Sequence, residues 1–292
     1  MRLLDNYLGV HFEKLCDSSI MKTQPKLLSG LFERCNINEN TRRLMTPGIS
    51  TSSSTNGQPT DPTEYLSLLG SLLYCVISRP DIGFAVANAA TKSKNPNVDD
   101  FNALIRIVNY LYQTRDKGLI FRKQEKGTDI QIFIHVDASY LLYADSKAQS
   151  GYTFSMNNLG TFFAKSSKQS VVTTSSTHAE ARALFTAVNE YVFMEMVAKE
   201  IGRPFISPAV VLEDNMPVVI LLNKDRTLPR ASKHFAMLIN YCRELIENGT
   251  ICVKKIATED NFADILTKHV QGQDFRLKMA RMLGITEDSL MS

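Results

Sequence analysis

The chain has 292 residues, 44% hydrophobic and 22% charged, with a formal net charge of +3. This length can bury a large core and predicts two folding units, while the charge is too small for composition alone to reveal a nucleic-acid partner. Five scattered cysteines (Cys16, Cys35, Cys75, Cys242, Cys252) form no CxxC pair and are odd in number, which argues against a zinc knuckle or a disulfide framework and predicts a reducing, intracellular setting. No apolar run approaches the roughly 20 residues that span a bilayer, and the first residues, MRLLDNYLGVHFEK, have no apolar signal core. The expectation is a soluble chain without a membrane partner.

Residues 6–13 (NYLGVHFE) read as a short strand containing a glycine, and residues 26–35 (KLLSGLFERC) as a short amphipathic helix. Residues 46–63 are dominated by Ser, Thr, Gly and Pro and read as a linker. From Glu64, the apolar residues Tyr65, Leu68, Leu69, Leu72, Leu73 and Val76 recur at spacings of three and four, so a helix is predicted up to Pro80. Two more follow, from Asp81 to about Thr91 and from Val98 to Gln113. Asp99 and Asp100 superficially look like paired polymerase aspartates, but they follow Pro96 and open an amphipathic helix. At that position acids favour the positive end of the helix dipole, so they read as helix-start chemistry.

After Gly118 the pattern turns mixed. Residues 118–123 (GLIFRK) predict a strand. Residues 130–137 (IQIFIHVD) are a continuous apolar run ending on a carboxylate, the pattern of a central sheet strand. Residues 151–156 and 160–165 add two strands, giving a three-stranded antiparallel start. A long helix begins near His178 with Leu184, Val188 and Tyr191 on its buried stripe, and Glu180 projects along that stripe. A strand at 209–214 (AVVLED) ends in two acids, and a short helix follows with Asn215 as its cap and Pro217 in its first turn. A helix from Lys233 to Glu247 stops at Asn248-Gly249, residues 250–256 form the fifth strand, and ATEDNFADILTKH closes with a helix carrying Asp264.

Four acids thus fall in order, Asp137 and Asp214 ending strands, with Glu180 on the long helix between them and Asp264 on the last helix, separated by 43, 34 and 50 residues. Each has a purely local reading: Asp137 starting an Asx-turn, Glu180 closing a capping box with Thr177, Asp214 capping the next helix, Asp264 pairing with Lys268. Taken together in this order, they read as a site.

The arrangement resembles a ribonuclease H domain, and the strings VDASY, SSTHAEARAL, EDN, SKHF and ADILTK sharpen this to the C-terminal part of a copia-type retrotransposon Pol polyprotein. Upstream, YLGVHFE, DPTEYLSLLGSLLYCVISRPDIGFAV and IVNYLYQTRDKGLIF resemble the end of that family's reverse transcriptase and its connection segment, so the likeness runs from Asn6 to Lys268. It implies an α/β fold, a mixed five-stranded ribonuclease H-like sheet with flanking helices, preceded by a mostly helical thumb and connection remnant. The implied domains are 1–45 (reverse transcriptase remnant), 46–63 (linker), 64–128 (connection), 129–270 (ribonuclease H-like) and 271–292 (tail).

The resemblance further implies a two-metal endonuclease that hydrolyses the RNA strand of an RNA–DNA hybrid. Two Mg²⁺ ions, with Mn²⁺ as an alternative, would be held by hard carboxylate oxygens. Asp137 would bridge the metals, Glu180 and Asp214 would complete the first site, and Asp264 would belong mainly to the second. Lys168, Ser176, Thr177 and His234 are weaker candidates for nucleic-acid contacts near a helix N-terminus. The family's polymerase acids precede the YLGVHFE-like strand, so a truncated product without polymerase activity is expected. Implied partners are the hybrid and full-length Pol or virus-like particle components, in the cytoplasm or the nucleus. His178, Tyr140 and His269 depart from the family's usual glutamate, tryptophan and proline, and the loop ATED has no histidine, which predicts slow turnover. The alternatives are a catalytically silent transposon remnant and an integrase-like strand transferase, whose last acid would be Glu247, 33 residues after Asp214.

Overall fold

The computed structural model describes residues 5–48, 57–223 and 230–286. They divide into two compact units, one built from residues 1–123 and 269–292, the other from 124–268.

In the first unit, β1 (Asn6–Tyr7) and β2 (Val10–Lys14) form a hairpin where a single strand is predicted from sequence. Leu8 and Gly9 take φ of 48° and 75°; such left-handed conformations at both loop positions favour glycine and suit a two-residue hairpin turn. β3 (Ile20–Thr23) continues the antiparallel meander, and α1 (Pro25–Arg34) follows. Of the expected linker, residues 49–56 lie outside the described residues. α2 (Pro62–Cys75) starts where Asp61 accepts a hydrogen bond from the Thr63 amide at 2.8 Å and Pro62 takes the first turn. A 3-10 turn at Pro80–Ile82 leads into α3 (Gly83–Ala90), and α4 (Val98–Gln113) opens on a capping box between Asn97 and Asp100. The paired aspartates are therefore helix-start residues. β4 (Leu119–Phe121) joins β3 as the edge of a four-stranded sheet.

The fully buried Arg79 donates from Nε and Nη2 to Asp81 at 2.9 and 2.7 Å and from Nη1 to the Thr114 backbone oxygen at 2.9 Å. Tyr110 adds its hydroxyl to the same Asp81 carboxylate at 2.5 Å. A buried ion pair of this kind is tolerated only because its lone pairs and protons are taken up by hydrogen bonds.

In the second unit, β5 (Gln131–Ser139), β6 (Lys147–Met156) and β7 (Thr161–Val172) form an antiparallel set. The 25-residue α5 (Ser176–Glu200) then covers β5 and β6. β8 (Ile206–Glu213) pairs parallel to β5; α6 (Met216–Asn223), α7 (Ala236–Glu247) and β9 (Ile251–Lys255) complete a mixed sheet of order β7-β6-β5-β8-β9. Ile132, Ile134 and Val136 of β5, Ala209 and Val211 of β8, and Leu184, Val188 and Tyr191 of α5 share one apolar core. This is the α/β, ribonuclease H-like mixed five-stranded sheet with flanking helices expected from the sequence.

Three details differ from the sequence expectation. β5 runs two residues past Asp137, so that acid sits within a paired strand. Asp264 lies on a five-residue 3-10 turn, Phe262–Leu266, in place of an α-helix. The expected tail, 271–292, contains α8 (Gly272–Leu283), which belongs to the first unit. Its Phe275, Met279, Met282 and Leu283 are buried, and Phe275 meets the Tyr110 ring edge-on at 5.8 Å. These apolar residues recur at three- and four-residue spacing, so the segment carries a face that must be covered.

Candidate metal centre

Asp137, Asp214 and Asp264 each offer a carboxylate oxygen within 4.8 Å of the others, and Glu180, Glu213 and Asp214 form a second such group. All four acids singled out in the sequence therefore meet, with Asp214 common to both groups. Local chemistry explains how each arrives. Asp137 is carried by β5, opposite Gly151 of β6. A Cβ at Gly151 would come within 2.6 Å of Thr267 Cγ2, 2.7 Å of Leu266 Cβ and 3.1 Å of the Ala263 oxygen. Glycine at that position is what lets the turn bearing Asp264 lie against the strand.

The same turn is tethered from three sides. Asn261 Nδ2 donates to the Val136 oxygen at 2.8 Å, Ser166 Oγ of β7 donates to the Leu266 oxygen at 2.5 Å, and the Thr267 hydroxyl donates to Asp137 Oδ2.

The local readings of these acids are mostly not realised. Ser175, not Thr177, caps α5, accepting from the His178 amide at 3.1 Å, and Glu180 takes no part in the cap. Asn215, not Asp214, accepts from the Val218 amide at the start of α6, at 3.2 Å. Asp137 makes no Asx-turn, being mid-strand. The pairing of Asp264 with Lys268 does exist, at 2.7 Å, and Lys268 Nζ also stands 4.0 Å from Asp137.

Burial raises the Asp137 carboxyl from its ordinary 3.8 to about 6; Lys268 and the Thr267 hydroxyl oppose that rise, and the charges of Asp264 and Asp214 add to it. Burial likewise pushes Glu180 well above the ordinary range, reinforced by Glu213, Asp137 and Asp214. For Lys268, burial favours the neutral form, but the carboxylates of Asp137 and Asp264 outweigh it and hold the ammonium charged. Buried acids that repel one another favour protons when no cation is present. The donor set is entirely hard oxygen, as Mg²⁺ or Mn²⁺ requires. Buried Glu180 Oε2 and Glu213 Oε2 have no hydrogen-bond partner. Such atoms suit a cation.

Glu213 is the site residue that sequence reasoning missed. β8 alternates, so Ala209, Val211 and Glu213 share the face turned to the core under α5, and Glu213 is completely buried. That parity is legible in AVVLED, which sets Ala209, Val211 and Glu213 on one face.

The weaker candidates are spread out. Lys168 on β7 pairs with Asp145 at 2.8 Å and lies over the Tyr143 ring at 4.4 Å. Ser176 is exposed and Thr177 half-buried in the first turn of α5. His234 is exposed, 2.5 Å from the Thr174 hydroxyl, with its ring 4.9 Å from that of His178. Glu247, the acid an integrase-like reading would need, is exposed at the end of α7 and belongs to neither carboxylate group.

A mixed sheet of this order with acids gathered at the edge of its central strands defines a ribonuclease H-like α/β protein. No family model matches the chain. The chain is 29% identical over 226 residues, 77% of its length, to a retrovirus-related Pol polyprotein from transposon RE2 of Arabidopsis thaliana. It is likewise 29% identical over 215 residues, 73% of its length, to that of transposon TNT 1-94 of Nicotiana tabacum. It spans only 15% and 16% of those relatives. Among solved structures, LC11-RNase H1 in complex with an RNA/DNA hybrid is similar at TM-score 0.34 and 17% identity, over 45% of this chain and 88% of that one. The chain is thus similar, over about three quarters of its length, to retrovirus-related Pol polyproteins of transposons.

Proposed function

We propose that the second unit is a ribonuclease H-type endonuclease that hydrolyses the RNA strand of an RNA–DNA hybrid with divalent cations. The observation that carries this reading is the meeting of Asp137, Glu180, Asp214 and Asp264, delivered by a strand, a helix, a strand end and a turn, in two oxygen groups each within 4.8 Å. Four acids with separate local explanations do not meet by helix capping or surface solvation.

Asp137, Glu180, Asp214 and Asp264 would hold the cations, with Asp214 central because it belongs to both oxygen groups. Bound there, two Mg²⁺ would supply an activated water and charge stabilisation for the leaving oxygen of the phosphodiester. The chain's own part is positioning. The Thr267 hydroxyl fixes one Asp137 oxygen, and the tethers of residues 261–267 to β5 and β7 hold the Asp264 carboxylate in place. Lys268 keeps a positive charge between Asp137 and Asp264, reducing the repulsion that the cluster and an incoming phosphate would otherwise feel.

The test is cleavage of a labelled RNA–DNA hybrid by the purified full chain. Mg²⁺-dependent loss of the RNA strand, abolished by Asp137→Asn, is the expected outcome; equal cleavage by wild type and D137N would overturn it.

A further inference from the structure

The carboxylate cluster has a fifth member that the four-acid scheme leaves without a role. Glu213 ends β8 on the core-facing side, completely buried. Its Oε1 accepts the Asn215 amide at 2.9 Å. Its Oε2 is buried with no hydrogen-bond partner, and one of its oxygens lies within 4.8 Å of oxygens of both Glu180 and Asp214. Glu180 Oε2 is also buried and unpartnered. A buried carboxyl oxygen without a donor forfeits its hydration with nothing in return. Two carboxyls that each keep such an atom, meeting a third, are best explained by a ligand that all three share.

We propose that Glu213 is a cation ligand, forming with Glu180 and Asp214 a three-carboxylate subsite for a hard divalent cation. This extends the proposed nuclease reading and rests on it. Glu213 reaches the subsite from the apolar side of the sheet, while Asp214, one residue on, serves both oxygen groups. Asn215 makes this possible: its amide holds Oε1 of Glu213 while its side chain caps α6, so the carboxyl is oriented with Oε2 left for the cation. Glu213 thereby adds a negative charge and an oxygen donor on the Glu180 side of the cluster. Hard-oxygen sites gain affinity with ligand charge count.

Calorimetric titration of Mn²⁺ into the full chain, together with the Mn²⁺-induced rise in melting temperature, tests this without an activity readout. Glu213→Gln keeps the shape and the acceptor for Asn215 but removes the charge. It is expected to weaken Mn²⁺ binding by at least about tenfold and to shrink the melting shift. Wild-type affinity in E213Q, with D137N losing binding, would overturn this inference alone; wild-type affinity in D137N would overturn the nuclease reading beneath it. Circular dichroism reports whether E213Q folds. If it does not, Glu213→Asp, which withdraws the carboxyl by one methylene and keeps the charge, takes its place: weakened Mn²⁺ binding supports the inference, and unchanged binding overturns it.

Discussion

At the scale of single residues, the site is governed by carboxylates held where water is scarce. Asp137 titrates near 6 in the folded chain against an ordinary 3.8. Between those values the folded state keeps a proton that the unfolded state has lost, so this group's contribution to stability is fully present below 3.8 and is lost as pH rises to about 6. Urea unfolding in EDTA across that range is therefore expected to show a decline with pH that is shallower in Asp137→Asn; equal slopes would refute the assignment. Above pH 6 a divalent cation replaces the missing protons, so its stabilising effect should be larger at pH 7.5 than at pH 5. For turnover, D137N should lower hybrid cleavage by at least about 100-fold, more than the loss of an outer-shell partner costs. Thr267→Val, which removes only the hydroxyl on Asp137 Oδ2, should cost about 10-fold, with a weaker Mn²⁺ affinity as the accompanying sign.

At the scale of elements, the decisive device is the close approach between β6 and the Phe262–Leu266 turn. Gly151→Ala places a Cβ within 2.6 Å of Thr267 and 2.7 Å of Leu266. The turn must move off the strand, taking Asp264 with it. Overpacking of this kind costs about 1–3 kcal/mol, so the melting temperature of G151A should fall. Its cation affinity should fall too, although no ligand has been altered. A variant with a lowered melting temperature and wild-type affinity would show that the turn is not what positions Asp264. The short turn, with Asn261 bonded to the Val136 oxygen, does here what the sequence reading assigned to an α-helix.

At the scale of the whole molecule, two cores are built separately, so damage to one should be readable apart from the other. Arg79→Met leaves Asp81 buried without its cation, and breaking a buried pair in this way costs about 3–5 kcal/mol. Hydrogen exchange should show lost protection in α2 and α4, while the Mn²⁺-induced shift that reports the carboxylate cluster persists. Loss of both together would contradict the division at residues 123/124 and 268/269.

The sequence by itself determined the strands of the second unit, the long helix and the order of four acids, because apolar periodicity is a local signal that survives without tertiary information; the mixed sheet followed from the family resemblance. It also carried the helix-start role of Asp99 and Asp100 in α4, where the chemistry is confined to the first turn. Only the tertiary structure decided that Gly9 breaks the first strand into a hairpin and that α8 completes the first unit. It alone decided that Ser175 rather than Thr177 caps α5, and that Glu213 faces Glu180 from the core. The hairpin turn and the cap are choices among competing short-range signals, with partners three to five residues away. A docked helix or a buried carboxyl is selected by what lies across from it in space, and those partners are distant along the chain: Glu180 stands 33 residues from Glu213, and Thr267 130 residues from Asp137.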